Sequence, residues 1–418
     1  MVLGMAVKLS FLGEPDKVGR SAYLVSGSRN ILIDYGVDID KIPKFPKTVS
    51  VFELDLFIIS HAHLDHMGAS PQLYVSGNMP CLLTHSTLDI SDILIRDFMK
   101  LSGEYLTFEY IDFLNLERNS NFMSYRIRYG YRDVGIKFYD AGHIPGSAQV
   151  VVELDGKTIL YTGDINTYET RLLTPADLDY DEEFDAVVIE STYGDTRHPD
   201  RFESERMFVQ LARETIENGG TVLVPAFAVA RSQEILLILY EHRFEYPVVM
   251  DGMAIEVTKM LLSHGRYLKD VKKLRNAFDK ARKIYRWRER KEVVKEPCLI
   301  IAPAGMLGGG SSVYYLNKLI KNPKNRIFLV GYQAPGSPGR SLLESKRDER
   351  KMADIRYIRF SAHADSIGIL KILKSLNGDP KIFVVHGNKE SRLNVDMMAR
   401  ECCGYKVYLP RHGEVYKI

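Results

Sequence analysis

Four side chains able to hold a metal fall within six residues at His61-Ala62-His63-Leu64-Asp65-His66, directly behind the apolar run Leu56-Phe57-Ile58-Ile59. Imidazole and carboxylate together suit zinc, and such a centre becomes catalytic when a coordination position is left for water. Three of the 11 histidines of the chain lie in this one run, which argues against an incidental polar loop. One loop cannot supply every ligand a catalytic centre needs. Lys137-Phe138-Tyr139-Asp140-Ala141-Gly142 leads into His143, Thr158-Ile159-Leu160-Tyr161-Thr162-Gly163 into Asp164, and Lys381-Ile382-Phe383-Val384-Val385 into His386. In each case a β-rich run stops and a metal-binding side chain follows, beside glycine that permits a tight turn. One histidine after a strand is more often structural; three such repeats beside the first cluster favour a shared centre.

The elements that must position these residues are legible from periodicity and punctuation. Ala6 to Phe11, Ala22 to Val25, Ile31 to Ile33 and Leu56 to Ile59 read as strands broken by Gly, Pro and Asn, and Ser86 to Leu101 as a helix. From about residue 194 the pattern changes to longer alternating elements: a helix over Arg201 to Asn218, a strand over Thr221 to Val224, a helix over Arg231 to Tyr240 and a strand over Tyr246 to Met250. Strands alternating with helices predict a parallel sheet and an α/β layer of its own, returning near His363. At 418 residues and 45% hydrophobic content the chain is large enough for more than one core. No stretch approaches about 18 apolar residues, so no membrane span is expected. Cys81, Cys298, Cys402 and Cys403 lack metal-type pairing and predict a reducing, cytoplasmic setting.

With these motifs in place the chain resembles the β-CASP nucleases of the metallo-β-lactamase fold, and among them the archaeal relatives of the cleavage and polyadenylation specificity factor endonuclease. Ile33-Asp34-Tyr35-Gly36 matches the first family motif, the His61 to His66 run the second, His143 the third and Asp164 the fourth. Glu190 in Glu190-Ser191-Thr192-Tyr193-Gly194, His363 in Ser361-Ala362-His363-Ala364-Asp365 and His386 in Val385-His386-Gly387 match the β-CASP markers. Two places depart from the pattern. Gly387-Asn388-Lys389-Glu390 displaces the acid that usually follows the last histidine, and Pro303-Ala304 stands where relatives carry two serines.

The resemblance implies an α/β fold class: a four-layer αββα metallo-β-lactamase fold over residues 1–193 and 363–418, with a parallel-sheet β-CASP domain inserted at 194–362. It also implies two zinc ions, one held by His61, His63 and His143, the other by Asp65, His66 and His386, with Asp164 bridging. A hydroxide shared by the ions would attack the phosphorus of RNA. Asp34 would orient a ligand or the water, and His363, held by Glu190, would protonate the leaving oxygen. The bland alternatives are a turn-forming Asp34 and a Ser-Ala-His-Ala-Asp stretch that only caps the next helix. Implied with this are an endonuclease, with a 5′ to 3′ exoribonuclease of RNase J type or a non-catalytic RNA-binding subunit as alternatives, and assembly as a homo-oligomer or with a sister β-CASP nuclease.

A net charge of +2 makes no global case for nucleic acid, but Arg266 to Lys295 holds 13 Lys or Arg against 4 acids, with Tyr267, Phe278, Tyr285 and Trp287 interleaved. Cations for phosphates and rings for splayed bases suit single-stranded RNA. A solvated helix with its aromatics turned to the core explains the same pattern. Lys283, Arg286, Arg231, Gly308, Gly309 and Arg340 are the candidates for RNA contact.

Overall fold

The computed structural model describes residues 6–39, 42–345 and 352–418. The chain parts into two compact units. The first comprises 1–169, 175–197 and 362–418; the second comprises 198–361 together with the short excursion Thr170–Thr174.

The first unit is built on two seven-stranded sheets. One contains Lys8–Phe11, Tyr23–Ser26, Asn30–Ile33, Leu56–Ile58 and Cys81–Leu83; the other contains Val134–Asp140, Ala148–Leu154, Lys157–Tyr161, Ala186–Glu190 and Lys381–Val385. Side chains alternate across a strand with a period of two, and each strand here except Lys8–Phe11 feeds two cores. Leu56, Ile58, Val150, Val152, Ile159, Val188 and Phe383 meet between the sheets. Phe57, Ile59, Cys81 and Leu83 point outward into a core shared with the helix His85–Ser102, through Leu88 and Ile95. Val151, Leu160, Val187, Ile189 and Val384 point out of the other sheet, to helices Ser366–Ser375 and Lys389–Cys403. Burial on both faces is why these strands read as unbroken apolar runs rather than alternating ones. At roughly 1.5–3 kcal/mol per fully buried large aliphatic or aromatic side chain, this double burial fixes where each strand ends, and so where each functional residue sits. The layering is αββα, the α/β class expected from sequence.

The second unit carries a six-stranded sheet. Arg282–Ile284 forms one edge, followed by Val248–Asp251, Leu299–Ala302, Val222–Pro225, Arg326–Leu329 and Asp354–Tyr357, all paired in parallel. The helices Arg201–Glu217, Arg231–Glu241 and Gly310–Leu319 alternate with these strands, as parallel pairing requires.

Candidate metal centre

Every candidate metal ligand singled out above lies in the first unit, most of them just beyond a strand end, with His63 at the N-cap of the short helix Leu64–Met67 and Asp65 and His66 within it. Asp34 follows Asn30–Ile33, His61 comes three residues after Leu56–Ile58 ends, Asp164 three after Lys157–Tyr161 ends, His143 three after Val134–Asp140 ends, and His386 directly after Lys381–Val385. Asp34 and His386 take left-handed backbone, with φ of 56° and 51°. Non-glycine residues pay for that conformation, and it persists only where the surroundings over-determine it.

The side chains converge on Asp164. Its Oδ2 lies 3.6 Å from His61 Nε2 and 3.5 Å from His143 Nε2. Its Oδ1 lies 3.4 Å from His66 Nε2 and 3.3 Å from His386 Nδ1. His63 Nδ1 is 3.1 Å from His143 Nε2, and Asp65 Oδ2 is 3.3 Å from His386 Nε2. Two ligand groups result, His61, His63, His143 and Asp164 on one side and Asp65, His66 and His386 on the other. One carboxylate thus offers one oxygen to each side.

His61 Nε2, His66 Nε2 and Asp164 Oδ1 are buried without a hydrogen bond. A buried polar atom left unsatisfied costs about 1–3 kcal/mol, so these atoms, His61 Nε2 on one side of Asp164 and His66 Nε2 with Asp164 Oδ1 on the other, fit cations bound on the two sides. The donor set of imidazoles and carboxylates is one that zinc accepts. The tautomers are set for ligation. Asp34 Oδ2, which can only accept, lies 2.8 Å from His66 Nδ1, and Ala362 O lies 2.7 Å from His143 Nδ1. Each ring therefore keeps a proton on Nδ1 and turns Nε2 inward, where its lone pair would serve a cation.

Burial pushes His61, His63 and His143 below their ordinary imidazole value, His63 to about 3, so all three stand neutral. Burial opposes charging His66 and His386 as well, but the Asp164 and Asp65 carboxylates outweigh it and hold both up. Asp164 is itself held low against burial by His386, His66 and His363. Cations at the centre would take over this charge balance, displacing protons from the two raised imidazoles.

Asp34 is fully buried and accepts four hydrogen bonds. Ser60 N–H donates to Oδ1 at 2.8 Å, while Ser60 Oγ (2.7 Å), Tyr161 OH (2.9 Å) and His66 Nδ1 (2.8 Å) donate to Oδ2. A simple turn-forming role does not account for these contacts. Sequence reasoning missed Ser60 and Tyr161, whose only signal is adjacency to the second motif and to the strand before Asp164. It also missed Thr192, whose hydroxyl donates to Glu190 Oε2 at 2.5 Å.

His363 Nδ1 lies 2.9 and 3.0 Å from the two Glu190 oxygens and 4.0 Å from Asp164 Oδ2. Burial opposes its charged form, but Glu190 and Asp164 outweigh this and lift it to about 9. The helix-capping alternative belongs to Asp365, whose Oδ1 accepts from Gly368 N–H at 2.9 Å, and not to His363. After His386 it is Asn388 that caps the next helix, accepting from Ser391 N–H at 2.8 Å, while Glu390 is exposed in its first turn.

The candidates for RNA contact all lie in the second unit. Arg286 is exposed, and Gly308 and Gly309 have open space where a Cβ would stand. Lys283 is half-buried, its ammonium on Asp279 O at 3.1 Å and over the Phe278 ring at 4.6 Å. Arg231 is buried at the start of its helix, which makes it a poor surface contact. Arg340 is exposed and ion-paired with Glu344 at 2.5 Å. In the basic stretch Tyr267 and Phe278 are buried, whereas Tyr285 and Trp287 are exposed, so the aromatics divide between core and surface.

Three family descriptions match the chain: the metallo-beta-lactamase superfamily over residues 15–80, the Beta-Casp domain over 232–342 and the Zn-dependent metallo-hydrolase RNA specificity domain over 348–410. The chain is 39% identical to "RNase aCSPSF2" of Saccharolobus solfataricus, over 97% of this chain and 84% of that protein. It is 36% identical to an "RNase J-like protein" of Methanocaldococcus jannaschii, over 99% of this chain and 100% of that one. A crystal structure of a protein of unknown function from Enterococcus faecalis V583 shares the fold, with a TM-score of 0.63 at 13% identity, covering 99% of this chain and 100% of that one. The motifs, the layered fold and these relatives agree, and the chain belongs to the β-CASP family of metallo-β-lactamase-fold ribonucleases.

Proposed function

We propose that the chain cuts RNA phosphodiester bonds internally, with two zinc ions held by His61, His63 and His143 on one side and by Asp65, His66 and His386 on the other. The observation that carries this reading is the Asp164 carboxylate, which presents one oxygen to each histidine set. Zinc there would supply Lewis acidity to activate water and to stabilise charge building on the phosphoryl oxygens. Asp34 fixes the tautomer and ring angle of His66, while Ser60 and Tyr161 hold Asp34 in place. Glu190, itself fixed by Ile165 N–H (2.7 Å) and Thr192, keeps a proton on His363. Since Nδ1 faces Glu190, the proton for the leaving oxygen is delivered from Nε2. His363 is charged below about pH 9, so its acid function is present at neutral pH and is lost as pH rises through that value.

No helix among the described residues is long and apolar enough to cross a membrane, and all four cysteines are free. Both fit work in the cytoplasm. The experiment that tests the reading uses 5′-labelled and internally labelled RNA with the zinc-loaded protein. Discrete internal products support endonucleolytic cutting. The RNase J-like relative favours a second reading, 5′ to 3′ exonucleolysis, which predicts mononucleotide release instead.

A further inference from the structure

We propose that Tyr285 and Trp287 form a base-stacking platform for single-stranded RNA, flanked by Arg282, Arg286 and Arg288 as phosphate contacts. The proposal rests on the ribonuclease reading and names where in the second unit the substrate is held. Tyr285 directly follows the edge strand Arg282–Ile284, and Trp287 opens the helix Trp287–Val293. Both therefore stand at the carboxyl end of the parallel sheet, where open α/β sheets take ligands. Pro303 and the glycine-rich turn before Gly310–Leu319 follow the carboxyl end of Leu299–Ala302 in the same sheet.

Tyr285 is 64% and Trp287 54% exposed, large values for aromatic side chains that a core would bury. The backbone that displays them is pinned: the Glu289 carboxylate accepts from Tyr285 N–H at 3.0 Å and from Arg286 N–H at 3.1 Å. Trp287 is braced edge-on by Tyr314 at 4.6 Å between ring centroids. The Arg290 guanidinium sits 5.1 Å from its ring and is clamped by the fully buried Asp251 at 2.6 and 2.9 Å. Asp251 also accepts from Tyr315 OH at 2.8 Å, so one buried carboxylate anchors the base of the platform. Lys259 lies 4.7 Å from the Tyr285 ring centroid.

Arg290 is neutralised by Asp251, but Arg282, Arg286 and Arg288 are exposed and no ion pair is found for them among the described residues. Rigid exposed rings with guanidinium groups beside them are complementary to a polyanion that also offers flat apolar faces. A single strand offers both, and every base has a face to stack. An acidic protein surface would match the charges without using the rings.

Trp287 is the only tryptophan of the chain, so its fluorescence reports this position alone. In stopped-flow mixing of the zinc-loaded full-length protein with single-stranded oligoadenylate, the emission should be quenched before cleavage begins. Inorganic polyphosphate of equal charge, which has no bases, should leave it unquenched. In fluorescence anisotropy with labelled RNA, Tyr285→Ala with Trp287→Ala should raise the Kd by roughly ten- to a hundredfold. Trp287→Phe with Tyr285 intact should largely restore binding, which separates stacking from misfolding. The turnover of a short aryl phosphodiester should stay as it is. RNA binding without quenching, an unchanged Kd in the double variant, or equal quenching by polyphosphate each overturns the platform. Continued cutting of labelled RNA in that event leaves the ribonuclease reading standing; no binding and no cutting removes both.

Discussion

The candidate metal centre of the first unit and the basic stretch of the second differ in how firmly the chain fixes them. At the centre, Asp34, His61 and His66 are fully buried, Asp164 nearly so, and each has its orientation dictated by a neighbour from another part of the chain. In the basic stretch most cations are exposed, and several are tied to carboxylates of the chain itself: Lys273 to Glu241 at 2.7 Å, Lys295 to Glu292 at 2.7 Å and Arg290 to Asp251. Chemistry needs reacting groups held to a fraction of an ångström, whereas a polyanion is held by summed charge and tolerates loose placement. Substitutions in the first region should therefore act abruptly, and those in the second gradually.

The sharpest way to press that difference after removal of a ligand is His363→Ala. It should slow RNA cleavage by roughly 10²- to 10⁴-fold while the metal content, read by atomic emission, stays unchanged. A substrate with a better leaving group should recover much of the loss. Equal loss on such a substrate would assign His363 a structural task. In the parent protein, the cleavage rate should fall on the alkaline side as His363 loses its proton near pH 9, and the variant should lack that limb.

A smaller effect is expected at Asp34, which acts only through other side chains. Asp34→Asn keeps the shape but lets the His66 ring lose its fixed tautomer, and should weaken metal affinity by roughly 10- to 100-fold. Competition with a fluorescent zinc chelator measures this without reference to activity. Unchanged affinity would mean that the four hydrogen bonds on Asp34 serve the fold alone.

The mildest change belongs to the basic stretch. Replacing Arg282, Arg286 and Arg288 with Gln should flatten the slope of log affinity against log salt by about two units, at about −0.7 per phosphate contact on a single strand. Catalysis on a substrate too short to reach them should hold. An unaltered slope with intact folding would reduce these charges to a solvated face.

What the sequence made legible follows the same division. The strands carrying His61, His143, Asp164 and His386 are buried on both faces, so their apolar runs stop visibly where the functional residue begins. Ser60 and Tyr161 were not legible because each acts on Asp34, and the Tyr161 contact closes a span of 127 residues. The excursion of Thr170–Thr174 into the second unit has no signature in composition. In the basic stretch, Leu274, Ala277 and Phe278 face the core at helical spacing along Val271–Lys280. That helix ends before Tyr285, so its periodicity could not say that Tyr285 and Trp287 point outward.

The central claim is that one carboxylate joins two metal positions, and metal content of Asp164→Ala tests it most directly. The parent chain should hold close to two zinc ions and the variant should lose most of both, together with cleavage, while its circular dichroism remains that of the parent. A folded Asp164→Ala protein that retains two zinc ions would contradict the account.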